Sequence, residues 1–154
     1  MPSPAAKTEM ALKSEMGLGG RDTIHIAGGG IAGLACGLAL ARAGFSISIW
    51  ERTAEPSEAG AGLQLGPNAV HALRSLDAAE DVRPFAVAPQ ALTMRRARDG
   101  RVLARMPLGA EIAARHGAPY WVVHRADLRA GLLARVAREP SIHLHYDAEV
   151  IAAT

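Results

Sequence analysis

Six consecutive residues, Gly28-Gly29-Gly30-Ile31-Ala32-Gly33, form a G-x-G-x-x-G string. Each glycine has its own reason in a phosphate-binding turn. Gly28 permits a tight turn. Gly30 carries no side chain, so a diphosphate can approach the backbone. Gly33 lets the following helix pack close to a sheet. Ile31 and Ala32 open that helix, where free N–H groups and partial positive charge favour an anion. The string by itself is weak evidence. Glu51 strengthens it, because an acid about 20 residues beyond such a turn can accept hydrogen bonds from an adenosine ribose. The competing reading is a glycine-rich helix start with no ligand. NAD and FAD both use this arrangement, so the motif leaves the dinucleotide open.

The surrounding elements suit the motif. Thr23 to Ala27 is a short apolar strand, and Gly28 to Gly30 a turn. Ile31 to Ala43 has helical spacing, with Ile31, Leu34, Leu38 and Ala41 available for one face. Gly44 stops it. Phe45 to Trp50 alternates apolar and polar residues, as a strand ending at Glu51. This βαβ unit implies two parallel strands. From Arg52 to Gly66 the chain reads as loop. Pro67 opens a helix that includes Ala69, Val70, Leu73 and Leu76. Ala91 to Met106 reads as a hairpin turning at Asp99-Gly100. Tyr120 to His124 is a strand, Ala126 to Arg138 a helix, and Ile142 to Tyr146 a last strand. Residues 1–20 have no period and many turn formers, and are expected to be a disordered tail.

Other residues could also carry chemistry. Arg95, Arg96, Arg98, Arg101 and Arg105 surround the hairpin turn, but no interleaved aromatics offer a stacking platform for nucleic acid. A solvated hairpin face is expected. His143, His145 and Asp147 share one face of a strand, yet nothing nearby completes a metal site, so a polar outer face is expected and no metal. His71 reads as a partly exposed helix histidine. Cys36 and Gly37 read as packing residues, Cys36 as a small buried group. A membrane span from Ile24 to Ile49 would have to carry three glycines in a row, His25, Arg42 and Gly44. Gly33-Leu34-Ala35-Cys36 places leucine wrongly for a lipoprotein signal. No membrane role is expected, and the expected place is cytoplasmic.

Three segments together are more specific than the glycines. They are GGGIAGLACGLALARAGFSISIWER from Gly28 to Arg52, GAGLQLGPNA from Gly60 to Ala69, and His124-Arg125-Ala126-Asp127-Leu128. In that order they resemble the FAD-dependent aromatic hydroxylases, the salicylate hydroxylase-like flavoprotein monooxygenases. The resemblance covers nearly all of the chain after Gly20. It implies FAD binding within an oxidoreductase that hydroxylates a small aromatic substrate, with NAD(P)H as electron donor and oxygen as co-substrate. It also implies roles. Gly28, Gly30, Ile31, Ala32 and Gly33 would line the diphosphate, Glu51 would hold the ribose, and Arg52 would lie near the adenosine. Gly62 belongs to the loop-and-helix segment near the flavin. Arg125 would reach the diphosphate or ribityl side, its alternative being a surface pair with Asp127. Val150, at the last strand, would meet the adenine through its backbone. The family's later Asp-Gly and Gly-Asp motifs are missing, since Asp99-Gly100 runs on into Arg101-Val102. The chain therefore reads as the amino-terminal part of such an enzyme, inactive alone, and no catalytic base is assigned.

Composition agrees with a globular domain. The chain has 154 residues, is 49% hydrophobic and 21% charged, and has one cysteine, which excludes an internal disulfide framework. Seventeen basic and 15 acidic residues give a net charge of +2, too balanced to suggest a nucleic-acid partner. The expected fold is α/β. A Rossmann-like βαβ FAD-binding domain over residues 21–154 would have a parallel sheet, an inserted β-hairpin and an incomplete carboxyl end. An open sheet edge would invite oligomerisation. Two other functions remain open: an NAD(P)-binding Rossmann oxidoreductase, and a non-catalytic remnant that binds a nucleotide or a partner chain.

Overall fold

The computed structural model describes residues 23–54 and 60–152, and the expected tail over 1–20 lies outside them. In chain order the first elements are β1 (Thr23–Ala27), α1 (Ile31–Arg42), β2 (Ser46–Trp50), β3 (Gly62–Leu65), α2 (Pro67–Ser75) and α3 (Ala79–Val82). A 3-10 turn (Arg83–Phe85), β4 (Ala91–Arg95), β5 (Val102–Pro107), α4 (Ala110–His116), β6 (Trp121–His124), α5 (Arg125–Val136) and β7 (Ile142–His145) follow. They form two compact units, Met1–Glu58 with Leu132–Thr154, and Ala59–Gly131.

The first unit is built on a three-stranded parallel sheet in the order β1-β2-β7. Thr23 to Ala27 lie opposite Ser46 to Trp50, and Ile47 to Trp50 opposite Ile142 to His145. Isoleucines at 24, 26, 47 and 49 suit the pleated surface. Leu34 and Leu38 of α1 are buried. A Cβ on Gly37 would lie 2.9 Å from Ile49 Cδ1, so glycine there permits close helix–sheet packing. Cys36 is exposed, against the expectation that it packs. The 3.6-residue period puts it on the side of α1 away from Leu34, Gly37 and Leu38. Gly44 follows the helix at φ 94°, in the left-handed region a helix stop requires.

The alternation in β2 is less amphipathic than it looks. Ser48 is only 1% exposed, because β2 is the central strand. Phe45 lies outside the strand and is exposed. Tyr146 likewise falls beyond β7 and is exposed.

The second unit corrects the loop expected from Arg52 to Gly66. Gly62–Leu65 is a strand, paired antiparallel with β6. Four residues starting with glycine carry little local strand signal, and the pairing partner lies far along the chain. Val87 and Val122 exchange backbone hydrogen bonds of 2.8 Å, adding a bridge to β6. Leu65, Val70, Leu73, Trp121 and Val123 are buried in this unit. The helices α3 and α4 were not among the predicted elements. The hairpin β4–β5 is as predicted, with Gly100 at φ 72°. Its Leu92, Met94, Val102, Leu103 and Met106 are all exposed.

In the turn between α5 and β7, Ser141 Oγ donates to Glu139 Oε1 at 2.9 Å. Arg135 Nη2 donates to Glu139 Oε2 at 3.1 Å. The Ser141 hydrogen bond, with Arg135 adding, holds the Glu139 carboxyl below its ordinary value near 4.5. A carboxylate lowered by folding stabilises the fold above its unfolded value, and that stabilisation is lost as pH falls through the folded value. Glu139→Gln should therefore flatten the acid side of the stability profile. The check is the melting temperature of both proteins as pH is lowered from neutral, with wild type losing more.

Candidate functional site

In the first unit β1 ends where α1 begins, with three glycines between them. Gly28 adopts φ 103°, and its N–H donates to Trp50 O at 2.8 Å, which ties the turn to the end of β2. Gly30 is the residue before α1, with φ −78° and ψ −176°. No side chain caps the helix and no acid lies in its first turn. The first intrahelical bond runs from Leu34 N–H to Gly30 O at 3.0 Å. The N–H groups of Ile31, Ala32 and Gly33 precede it and have no carbonyl one helical turn back.

The three motif glycines differ in what they would tolerate. A Cβ on Gly33 would stand 1.9 Å from Gly28 O, so no side chain fits. A Cβ on Gly30 would meet nothing within 4 Å. The protein itself therefore does not require glycine at 30. The space beside it is what a side chain would fill. Gly29 is buried, and a Cβ there would lie 3.0 Å from Glu51 Cβ.

Glu51 follows the end of β2. Gly29 N–H donates to its Oε2 at 2.7 Å, while Thr53 N–H and Thr53 Oγ1 donate to Oε1 at 3.0 and 2.8 Å. The carboxylate is thus fixed against the glycine turn. Sequence reasoning missed Gly29 and Thr53. The signal for Thr53 was a hydroxyl residue two positions after an acid, a local turn former.

Arg52 points its Nη1 to within 3.8 Å of Glu149 Oε1, both side chains well exposed, a pairing worth at most about 1 kcal/mol. Val150 does not belong to the last strand. β7 ends at His145, and Val150 lies in irregular chain, exposed. The strand stops because the backbone turns at Asp147, which has φ 53°.

Gly62 and Arg125 lie in the second unit and come together there. Gly62 opens β3 opposite His124, and nothing lies within 4 Å of where its Cβ would be. Arg125 is exposed and is the first residue of α5, its N–H donating to Ala61 O at 3.3 Å. A Cβ on Gly60 would come within 3.0 Å of Arg125 Cβ, so glycine there admits the arginine. Among the described residues no carboxylate pairs with the Arg125 guanidinium, and Asp127 does not take that role.

His145 is half-buried and not part of a solvated polar face. Its ring stacks on Trp50 with centroids 4.0 Å apart and planes 13° from parallel. Trp50 Nε1 in turn donates to His25 Nδ1 at 3.1 Å. Among the described residues no group of three His, Cys, Asp or Glu is placed to hold a metal. His71 is exposed, and its Nε2 lies 2.7 Å from His116 O, a link between α2 and α4. No helix of the described residues is long and apolar enough to cross a membrane.

Residues 26–83 match the family model of the NAD(P)-binding Rossmann-like domain. The chain is 47% identical over 110 residues to a 3-hydroxybenzoate 6-hydroxylase of Polaromonas naphthalenivorans, covering 71% of this chain and 28% of that protein. It is 38% identical over 133 residues to the FAD-dependent monooxygenase OpS4 of Beauveria bassiana, covering 84% of this chain and 31% of that one. Among solved structures, a tetrameric form of 2-methyl-3-hydroxypyridine-5-carboxylic acid oxygenase has the same fold, with a TM-score of 0.75 at 24% identity over 88% of this chain and 34% of that one. The chain spans about a third or less of the length of these relatives.

The glycine geometry makes a structural prediction. Gly33→Ala should destabilise the protein by about 1–3 kcal/mol, because a methyl group is forced into the Gly28 carbonyl. Gly30→Ala should leave stability within about 0.5 kcal/mol of wild type. Denaturant unfolding of the two variants checks the contrast.

Proposed function

Because the chain is homologous to the amino-terminal part of FAD-dependent aromatic monooxygenases, we propose that it is the FAD-binding portion of such an enzyme. The observation that carries this reading is the combination at the end of β1. An uncapped, acid-free helix start sits beside open space at Gly30, and Glu51 is held against the same turn. These residues fit the adenosine diphosphate half of a dinucleotide. Gly28, Gly30 and the N–H groups of Ile31, Ala32 and Gly33 would hold the diphosphate. Glu51 would accept from the ribose hydroxyls, and Arg52 and Val150 would lie toward the adenosine. Gly62 and Arg125 would serve the flavin side, where a guanidinium fork suits phosphate oxygens. When bound, FAD supplies the electron-accepting and oxygen-activating chemistry. This chain binds and orients the adenosine and diphosphate.

In the whole enzyme the substrate would be a small aromatic compound, as the name of the Polaromonas relative suggests for that protein, and NAD(P)H the donor. The matched NAD(P)-binding model also supports a second reading, a nicotinamide dinucleotide in the same turn. Titration with FAD and with NAD(P)H separates the two, because only the first reading predicts a preference for FAD. Glu51→Ala should weaken dinucleotide binding by about 1.5–3 kcal/mol in a protein that still folds. Equal affinity in the variant would remove Glu51 from the site.

The 154 residues alone should bind FAD weakly and hydroxylate nothing, because they carry only part of the surface that positions the reacting groups. Positioning accounts for about 7–11 kcal/mol of a barrier. FAD titration and an NAD(P)H-dependent hydroxylation assay on this chain check the point. Tight, stoichiometric flavin with coupled product would contradict it. The exposed apolar residues of β4–β5 would also drive association of the chain. Sedimentation should show it rising with concentration and falling in Leu92→Glu/Met106→Glu.

A further inference from the structure

Glu51 is held by more than its carboxylate. Its backbone N–H donates to His145 O at 2.8 Å, and its backbone carbonyl accepts from Ala148 N–H at 3.0 Å. Both main-chain groups of the acid are therefore bonded to one short segment, the turn that closes β7. That turn depends on Asp147, whose φ of 53° lies in the left-handed region. Non-glycine residues rarely adopt it, and Asp and Asn do so most readily because their short polar side chains bond locally. Ala148, just beyond, is buried. On the other side, His145 is anchored by its ring stacked on Trp50, the residue before Glu51. The turn thus reaches the end of β2 through two backbone hydrogen bonds and one ring contact.

We infer that Asp147 is a positioning residue for the nucleotide site. By taking the left-handed conformation it sets Ala148 N–H against Glu51 O, and so fixes where the Glu51 carboxylate stands relative to the glycine turn. This inference rests on the proposal that Glu51 accepts from the ribose hydroxyls. Asp147 acts on the ribose hydroxyls through Glu51. The diphosphate part of the site is tied separately, through Gly28 N–H and Trp50 O. Loss of the turn should therefore cost recognition of the ribose hydroxyls and leave phosphate binding in place.

The test uses the full chain and two probes, ADP and 2′,3′-dideoxy-ADP, titrated calorimetrically. Wild type should prefer ADP by about tenfold or more, the value of a hydrogen bond to a carboxylate. Asp147→Ile places a β-branched residue where φ is positive, which strains the turn. It should bind the dideoxy probe within about twofold of wild type and lose the preference for ADP. Asp147→Asn, which tolerates the conformation, should keep the preference. If circular dichroism shows Asp147→Ile unfolded, Asp147→Ala carries the same prediction with a smaller loss. The inference is overturned if the folded variant retains the ADP preference, or if both probes weaken by the same factor. A wild type that binds both probes equally would overturn the ribose assignment of Glu51 and this inference with it. A wild type that binds neither would overturn the nucleotide reading as a whole.

Discussion

The closest constraint in the first unit is the approach of α1 to the carbonyl of Gly28. A Cβ at position 33 would stand 1.9 Å from that oxygen, so the helix starts as near to β1 as backbone allows. Everything the site offers follows from this approach. The helix start is brought to the end of the strand, its first N–H groups lack intrahelical carbonyls, and Gly28 must take a positive φ to make the bend. The same turn also receives Glu51. Gly29 N–H bonds its carboxylate, and Gly28 N–H bonds the carbonyl of Trp50 one residue earlier.

The central strand completes the arrangement. β2 pairs with β1 on one side and β7 on the other, and its carboxyl end lies between two turns. The glycine turn follows β1, and the Asp147 turn follows β7. An acid placed after a central strand can be held by backbone from both neighbours, whereas an edge strand has one. The buried Ser48 belongs to the same geometry, since a polar residue in a central strand is covered whatever the alternation suggests.

The second unit has a different balance. Its interior holds Leu65, Val70, Leu73, Trp121 and Val123, yet its hairpin leaves five large apolar side chains in solvent. A two-stranded ribbon is marginal in water unless an apolar face is covered. The chain matches about 28–31% of the length of the two curated relatives, and among its described residues the hairpin carries most of the exposed large apolar side chains of this unit.

Much of this was legible in the residues themselves. The βαβ unit, the glycine turn, the helix stop at Gly44, the hairpin at Asp99-Gly100 and the acid at 51 are local signals, each set by backbone sterics or short-range periodicity. The resemblance to flavin hydroxylases rested on the same stretches. Part of what sequence reading missed was non-local. β3 is four residues with a glycine at its start, and it exists because β6 pairs with it from far along the chain. Cys36 looked like a packing residue by type, but the phase of α1 turns it outward. Val150 was read from the resemblance as lying at the last strand, whereas β7 ends at His145 and the chain turns at the left-handed Asp147 before reaching it. Residue types and their spacing determined that an acid follows the second strand. Only the tertiary structure decided what holds that acid, because its partners at Gly29, Thr53, His145 and Ala148 are mostly remote in sequence, and backbone hydrogen bonds leave no mark on side-chain identity.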